Sequence, residues 1–505
     1  MTCQQLDSAS SFFLTAAPTL RRVTALVTWL AFLLPAAYGQ VGPTPTDTTR
    51  LPVVEILVRE ALSRNLDLKQ QNLALDRAMA TVDEARGGFL PRLDAQARYT
   101  RAGGGRTIDF PVGDLLNPVY ETLNTLTPPG TDDFPTIENR EIAFLRDREQ
   151  DTRLRLEQPL FAPAALYGYR ARKDERRAEQ ASTEVTRRTI ARDVQIAYFG
   201  FRQTSEQVKI LDATYDRARE NLRASRRLVD AGKATPDATF RAEAEVLAVE
   251  QRRTEAEAGR RRARSALNLI LDRPLDSPIP SPRMSTTSLV DRQTRSLPAS
   301  VRPFVGRTGL DLLQDRAQAD RPELRQLSAA FDATEDQRRL AQTAYLPTVS
   351  LVLEGGIQGT TYGLDDEQRF GLASLVLQWN LFDGFRDRAR VEQADLSARQ
   401  IDVRRDAVSQ QIDLQVQQAF DDVRVALRSL QTAEARLRAA ESSFRLTKRR
   451  YDVGRASLVT FTDALSTLTE AELNLAVTRY TLLARLAELR YAAGLPMTPP
   501  NAPTR

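Results

Sequence analysis

The chain has 505 residues, enough for three or four average domains, yet it contains no histidine and only one cysteine, Cys3. This composition excludes a Ser-His-Asp or Cys-His nucleophile, a His-ligated metal or haem, and an imidazole pH switch. The formal charge of +5 comes from 71 Lys and Arg against 66 Asp and Glu, a balance too even to favour nucleic acid as a partner.

The first predicted element is a secretory signal peptide over residues 1–39. Arg21 and Arg22 precede a mostly apolar run of twelve residues, and the small-x-small triplet Ala37-Tyr38-Gly39 follows as a cleavage site. Twelve residues are too few for an ordinary transmembrane helix, although an uncleaved anchor stays open as an alternative. Cleavage after Gly39 would remove Cys3 and leave an N-terminal segment over residues 40–52.

The rest of the chain contains an internal duplication. Residues 61–93 recur 256 positions later, and both copies end on an aromatic-Leu-Pro triplet. A second block recurs 221 or 222 positions later and ends on an Asp-x-Gly-basic-Ala turn in both copies. Because the same landmarks appear twice in the same order, we predict two structural repeats joined by a linker rich in Pro, Ser and Thr. The predicted divisions are repeat 1 (53–272), the linker (273–309), repeat 2 (310–495) and a C-terminal tail (496–505).

Each repeat is predicted to run helix, strand, strand, long helix and return helix. Residues 53–88 and 310–344 carry apolar residues at helical spacing, and a proline, Pro91 or Pro347, follows each. After these prolines the apolar period changes from 3.6 to 2. The predicted strands lie near residues 92–100, 153–161, 348–356 and 371–380. Strands of about ten residues with one apolar and one polar face favour a membrane β-barrel with a wet lumen, and a small soluble sheet is the alternative.

The segments 164–231 and 385–453 have no proline and almost no glycine, which predicts two continuous helices of about 100 Å each. Helices of this length are typical of coiled coils or tubes, because a globular core cannot cover them. Each helix ends at a glycine where a left-handed residue is needed, and a Thr or Ser follows as the N-cap of the return helix. The turn residues are Gly232, Lys233 and Thr235 in the first hairpin and Gly454, Arg455 and Ser457 in the second.

These landmarks resemble the TolC family of outer-membrane efflux proteins, over nearly all of residues 50–495. The residues that carry the resemblance are Phe89-Leu90-Pro91, Tyr345-Leu346-Pro347, Gln158-Pro159-Leu160-Phe161, Trp379-Asn380-Leu381-Phe382-Asp383-Gly384, Tyr451-Asp452-Val453-Gly454 and Asp463-Ala464. The turn motif alone is weak evidence, but the ordered set in both repeats is strong.

The resemblance implies a mainly α fold with a transmembrane β-barrel. Three protomers, each giving four strands, would form a twelve-stranded barrel in outer-membrane lipid, continuous with a trimeric periplasmic α-barrel. It also implies a passive exit duct without catalysis or cofactor, in the outer membrane of a Gram-negative bacterium. The expected partners are a periplasmic membrane-fusion adaptor, which would meet both hairpin turns, and an inner-membrane pump or a type I secretion ABC transporter. The loop 101–151, much longer than its counterpart near 357–370, would then be extracellular.

The resemblance also suggests a gate at the hairpin tips. Asp463 matches an inner aspartate ring, where three symmetry-related carboxylates would attract cations, and Tyr451 matches a constriction tyrosine. Asp237 could replace the carboxylate partner of that tyrosine, because Ala238 stands at its position. Two further departures, Thr460 for an outer aspartate and Ala456 for a bridging arginine, leave the gate's details open, and Asp463 as an ordinary exposed acid is the alternative.

A different class of function also fits part of the pattern. A periplasmic or surface coiled-coil scaffold would use the same long helices without conducting anything. The alternating strands favour the duct, since a scaffold has no need of an apolar belt. No catalytic residue or metal site is predicted, and the sequence decides neither the substrate nor the class of pump.

Overall fold

A computed structural model of the protein describes residues 53–128, 130–280, 284–299, 308–363 and 365–497. The predicted signal peptide, the segment 40–52 and residues 498–505 of the predicted tail lie outside the described residues. Within the described ranges, no helix combines the length and the apolar character needed to cross a membrane.

The described residues form long helices and a few strands. In chain order these are α1 (Val53–Arg64), α2 (Leu66–Gly87), β1 (Arg92–Arg101), β2 (Thr107–Phe110), α3 (Val112–Leu126), β3 (Arg140–Ala143), β4 (Arg148–Phe161), α4 (Pro163–Asp230), α5 (Pro236–Ile270), α6 (Thr286–Arg295), α7 (Thr308–Asp320), α8 (Pro322–Gln342), β5 (Thr348–Gly359), β6 (Arg369–Gln378), α9 (Arg386–Asp452) and α10 (Leu458–Ala492). The two repeats share a series of elements in the same order. Repeat 1 has α1, α2, β1, β4, α4 and α5, and repeat 2 has α7, α8, β5, β6, α9 and α10. The predicted mainly α class with a duplicated element order is therefore confirmed.

The first helix of each repeat differs from the prediction, because each is broken into two. Asn65 interrupts repeat 1 with extended backbone; its side chain accepts a hydrogen bond from the Leu68 N–H and donates one to the Ile270 carbonyl at 2.9 Å. Arg321 interrupts repeat 2, because the residue before a proline, here Pro322, is pushed out of the helical region.

Strands β1, β4, β5 and β6 form one antiparallel sheet in that order. The register pairs Leu93 with Leu156 and Leu351 with Leu375, so the apolar positions of neighbouring strands share one face. That face is uncovered in the protomer, with Leu93 65% and Leu375 69% exposed.

The opposite face of the sheet is charged. Arg153 and Arg155 of β4 lie 3.6 and 3.2 Å from Glu354 of β5, and Arg98 of β1 lies 3.5 Å from Asp151. The sheet thus separates an exposed apolar surface from a surface of cross-strand ion pairs. Strands β1 and β6 each have only one partner among the described strands, so each leaves one edge open.

The sheet and the helices are tied at equivalent places in the two repeats. Nε2 of Gln158, at the end of β4, donates to the Phe89 carbonyl at 3.1 Å. Nε1 of Trp379, just after β6, donates to the Tyr345 carbonyl, also at 3.1 Å. The duplication has kept this junction although the two donors differ chemically.

The long helices α4 (68 residues) and α9 (67 residues) each reach about 100 Å. Each folds back through a short turn onto its return helix, and α10 also packs against α4. A buried hydroxyl pair, Thr214 and Thr469 at 3.1 Å, joins α4 to α10. Arg217 and Glu472, 3.3 Å apart, add an ion pair one turn away.

Two apolar clusters flank α10 near its C-terminal end. One contains Leu57 of α1, Val194 of α4 and Leu483; the other contains Leu313 of α7 and Leu486. All five side chains are essentially buried, and each burial stabilises the fold by about 1.5–3 kcal/mol. The clusters fix the broken first helices and α10 against the long helices.

Three charged groups lie beside these clusters. Glu55 of α1 is buried and accepts a hydrogen bond from Arg292 of α6 at 3.0 Å. Burial raises the pKa of Glu55 even though Arg292 opposes the shift. Arg490 is also buried and donates to the Gln293 carbonyl at 2.9 Å and to Ser296. Burial lowers its pKa to about 10, while the charge of Glu55 acts in the opposite direction.

The connection between β1 and β4, predicted only as a long loop, contains the hairpin β2–β3 and the helix α3. The Asn117 side chain donates to the Ile137 carbonyl at 3.0 Å and accepts from the Ile137 N–H at 2.8 Å. Asn124 makes the same two hydrogen bonds with the backbone of Phe134. Gly113 is buried so close to the Ile137 carbonyl that a Cβ there would collide with it. We call residues 102–147 the insert; its described residues form one hydrogen-bonded unit.

Candidate functional site

The candidate site is the pair of turns that end the long helices. In the first turn, Gly232 has a φ of +67°, and its N–H donates to the Val229 carbonyl at 2.9 Å. The Lys233 N–H donates to the Leu228 carbonyl at 2.8 Å. These two hydrogen bonds give partners to carbonyls at the C-terminal end of α4. The turn needs a residue with left-handed backbone, which glycine adopts most easily.

The second turn repeats the arrangement. Gly454 has a φ of +75°, and the Arg455 N–H donates to the Arg450 carbonyl at 2.7 Å. Ser457 caps α10 by accepting the Thr460 N–H at 3.2 Å. The predicted cap at the first turn differs in detail: Thr235 has the extended backbone of an N-cap, but its hydroxyl donates to Asp237 instead of accepting a backbone N–H.

Both turns are exposed. The charged side chains of Lys233 and Arg455 lie on this surface. Sequence reasoning missed the large apolar groups beside them: Phe240, on the first turn of α5, is 70% exposed, and Val453 and Val459 flank the second turn. For Val453, the available signal was its position directly before the turn glycine; no comparable signal in the sequence marked Phe240 or Val459.

The predicted gate residues lie at the same end of the helices. Tyr451 stacks on Phe461 with ring centroids 4.8 Å apart, so its ring is held against α10. Asp237 is 3.5 Å from Arg241 and also accepts from Thr235. Within the described residues of one protomer no hydrogen bond joins Tyr451 to Asp237, and their pairing stays a prediction.

Asp463 lies on the exposed side of α10, between the buried residues Phe461 and Ala464. Among the described residues it has no ion-pair partner, unlike Asp452, which lies 3.0 Å from Lys448. The residues that depart from the family pattern, Thr460 and Ala456, are at the same tip. No group of three or more Cys, Asp or Glu in the described ranges could hold a metal ion.

A family model described as "Outer membrane efflux protein" matches residues 57–272 and 313–495, which cover nearly all of both predicted repeats and include both turns. The chain belongs to the outer membrane efflux protein family. Its predicted localisation in the Gram-negative outer membrane and its predicted likeness to TolC are thereby confirmed.

Curated relatives of this efflux-family protein are only distantly similar in sequence. Outer membrane protein TolC of Salmonella enteritidis is 25% identical over 180 residues, which are 34% of this chain and 37% of that protein. TolC of Escherichia coli K12 is 23% identical over 197 residues, or 37% and 40% of the two chains. The aligned segment thus spans less than half the length of either relative.

Solved structures resemble the protein over a larger share of the fold. The Campylobacter jejuni CmeC outer membrane channel superposes with a TM-score of 0.69, covering 88% of this chain and 85% of that one at 16% identity. The open state of the Neisseria gonorrhoeae MtrE outer membrane channel gives 0.68, covering 88% and 89% at 19% identity. At these identities the likeness establishes the fold.

Proposed function

We propose that this protein is the outer-membrane channel of a tripartite efflux pump or a type I secretion system. Substrates would leave the cell passively through a trimer that has no catalysis of its own. The observation that carries the proposal is the four-stranded sheet, with its exposed apolar face and two open edges, joined directly to two helical hairpins about 100 Å long. Three such sheets, paired edge to edge, would close a barrel of twelve strands.

The hairpin turns are the proposed contact with a periplasmic membrane-fusion adaptor. Their exposed Lys233 and Arg455 offer charge, and the exposed Phe240 and Val453 offer apolar area, which together form the kind of surface a helical partner recognises. An inner-membrane pump or ABC transporter would act through that adaptor and supply the energy. The composition agrees with a duct, because a chain without histidine lacks the commonest catalytic side chain.

The proposed gate is a ring of three Asp463 side chains. Asp463 is exposed and lies on the same helical end as the turn. In a trimer, three such carboxylates around one axis would focus negative potential and attract cations into the pore. Tyr451, fixed by Phe461, would narrow the same region.

We therefore expect Asp463→Asn to weaken the block of single-channel conductance by polyvalent cations in planar bilayers. Asp452→Asn is the matched control, because Asp452 is an exposed acid of the same tip whose charge is already paired with Lys448. An unchanged block in Asp463→Asn would remove this residue from the gate while leaving the channel proposal intact.

Cell fractionation tests the channel proposal against the scaffold alternative. A heat-modifiable trimer in the outer membrane supports the channel. A soluble periplasmic monomer would refute it and favour the coiled-coil scaffold.

A further inference from the structure

The insert carries an apolar surface that the channel proposal does not use. Helix α3 presents one stripe of large apolar side chains to solvent, with Leu115 at 70% and Leu126 at 76% exposure. The members of the stripe, which share one side of the helix at spacings of three and four residues, are Leu115, Leu116, Val119, Leu123 and Leu126.

The stripe faces outward because the other side of α3 is already occupied. Asn117 and Asn124 each make two hydrogen bonds to the segment 134–137, and Tyr120 stacks on Phe134 with centroids 5.3 Å apart. Turning the apolar side of the helix inward would break the four hydrogen bonds that Asn117 and Asn124 make.

The hairpin of the insert also exposes apolar side chains. Ile108 and Ile142 face each other across β2 and β3, and both are exposed, as are Phe144 and Leu145 beside them. Removing apolar side chains of this size from water is favourable, so a surface of this composition favours association.

The charges on α3 indicate what kind of partner covers it. The only ionisable residues of the helix are Asp114 and Glu121, apart from the phenol of Tyr120, and it contains no Lys or Arg. A helix that lies on an anionic lipid surface normally carries Lys or Arg beside its apolar face. The stripe is therefore better suited to another protein surface than to lipid headgroups.

The position of the insert indicates that the protein partner of the stripe is a second copy of this chain. The insert leaves from β1, whose open edge is where a neighbouring protomer would pair in the proposed trimer. Equivalent inserts would then be four strands apart, which is about 20 Å at the usual strand spacing. Helix α3, with 15 residues, is about 22 Å long and can bridge that separation.

We propose that the apolar stripe of α3 packs against the insert of the neighbouring protomer, so that three inserts form a collar around the outer mouth of the channel. This inference rests on the proposed trimer. The collar would lie at the end of the molecule opposite the hairpin turns, and each contact would bury the stripe in a head-to-tail arrangement that closes after three copies.

Site-specific photo-crosslinking in the full-length chain tests the collar. The photoreactive residue p-benzoylphenylalanine is placed at Leu123, in the stripe, and as a matched control at Glu121, on the opposite side of α3. Irradiation of outer membranes should give crosslinked dimers from position 123 and few or none from position 121. Mass spectrometry should place the crosslinked peptide within residues 102–147 of a second copy.

The other outcomes are distinguishable. An intact trimer that gives no crosslink at position 123, or equal crosslinking at both positions, would overturn the collar and leave the channel proposal standing. A lipid adduct or another protein at position 123 would also overturn it. A monomeric wild-type protein on native electrophoresis would refute the trimer and the collar together.

Discussion

Glu55 is a single residue whose buried carboxylate lowers the stability of the protein at neutral pH. It is buried beside the apolar cluster of α1, and burial raises its pKa although Arg292 is within hydrogen-bonding distance and Arg490 lies in the same region. Its ionised form is therefore less favourable in the folded state than in the unfolded state. The stability contributed by a raised carboxyl pKa is fully present below the ordinary value of 4.5 and is lost as the pH rises through the raised value.

Glu55→Gln should consequently be more stable than the wild type at neutral pH, because the neutral amide avoids the cost of a buried charge and can still accept from Arg292. The difference should vanish as the pH falls to about 4, where wild-type Glu55 is itself protonated. Thermal unfolding of the purified protein in detergent across this range measures the difference. A stability gap independent of pH would contradict the raised pKa.

Arg292→Met, in contrast, should lower the stability of the folded protein. It removes the hydrogen-bonded cation and leaves Glu55 buried, so the pKa of Glu55 should rise further. Breaking a buried pair on one side typically costs about 3–5 kcal/mol. We expect a loss of that order at neutral pH and partial recovery on acidification. No recovery would show that the loss comes from packing alone.

At the scale of elements, the two hairpin turns are the most regular feature of the duplication. Gly232 and Gly454 both adopt left-handed backbone, and a Cβ on either would meet nothing within 4 Å among the described residues. The cost of a side chain at these positions is therefore conformational and not steric. A left-handed non-glycine residue costs roughly 1–2 kcal/mol.

Gly454→Ala should destabilise its turn by about 1 kcal/mol and increase amide hydrogen exchange in the last turn of α9 and the first turn of α10. Gly259→Ala is the matched control: Gly259 lies inside α5, where an added Cβ would also have free space around it. Alanine there should stabilise the helix by about 0.5–1 kcal/mol. Equal effects of the two variants would contradict the left-handed requirement.

Much of this architecture could be predicted because it depends on local sequence patterns. The long helices follow from the absence of proline, and the turns follow from a glycine placed between two helical segments. The break at Asn65 could not be predicted in the same way, since it depends on a hydrogen bond to Ile270, which is 205 residues distant. Helix α3 was missed because its sequence contains Pro118 and is anchored by backbone and side-chain groups of residues 134–139.

The candidate site was predictable to a smaller extent. The turn glycines and the Ser457 cap are local features and were found from sequence. The stacking of Tyr451 on Phe461 depends on how α9 meets α10, and the exposure of Phe240 depends on what packs around it. No described hydrogen bond joins Tyr451 to Asp237, and their pairing stays a prediction.

At the scale of the whole molecule, the sheet divides two environments. Leu375 of β6 is on the exposed apolar face, and the adjacent Ser374 is on the opposite face with the charged side chains of β4 and β5. The proposed channel requires lipid on the first face and water on the second.

Leu375→Arg should therefore lower the yield of outer-membrane trimer and its resistance to heat, because a cation facing lipid costs about 2–4 kcal/mol near the bilayer centre. Ser374→Arg is the matched control: an exposed neighbour that faces the proposed lumen and should be tolerated. Heat-modifiability on electrophoresis measures both. If the two variants behave alike, the apolar face does not meet lipid.

The insert and the hairpin turns would have different symmetry in the proposed trimer. It interrupts only the first repeat, since β5 and β6 are joined by just the short connection 360–368. The hairpin turns, in contrast, occur once in each repeat with nearly the same backbone. A trimer would thus present six similar turns at one end and three inserts at the other. A sixfold ring of partners could engage the turns uniformly, whereas anything that recognises the outer mouth would meet a threefold pattern.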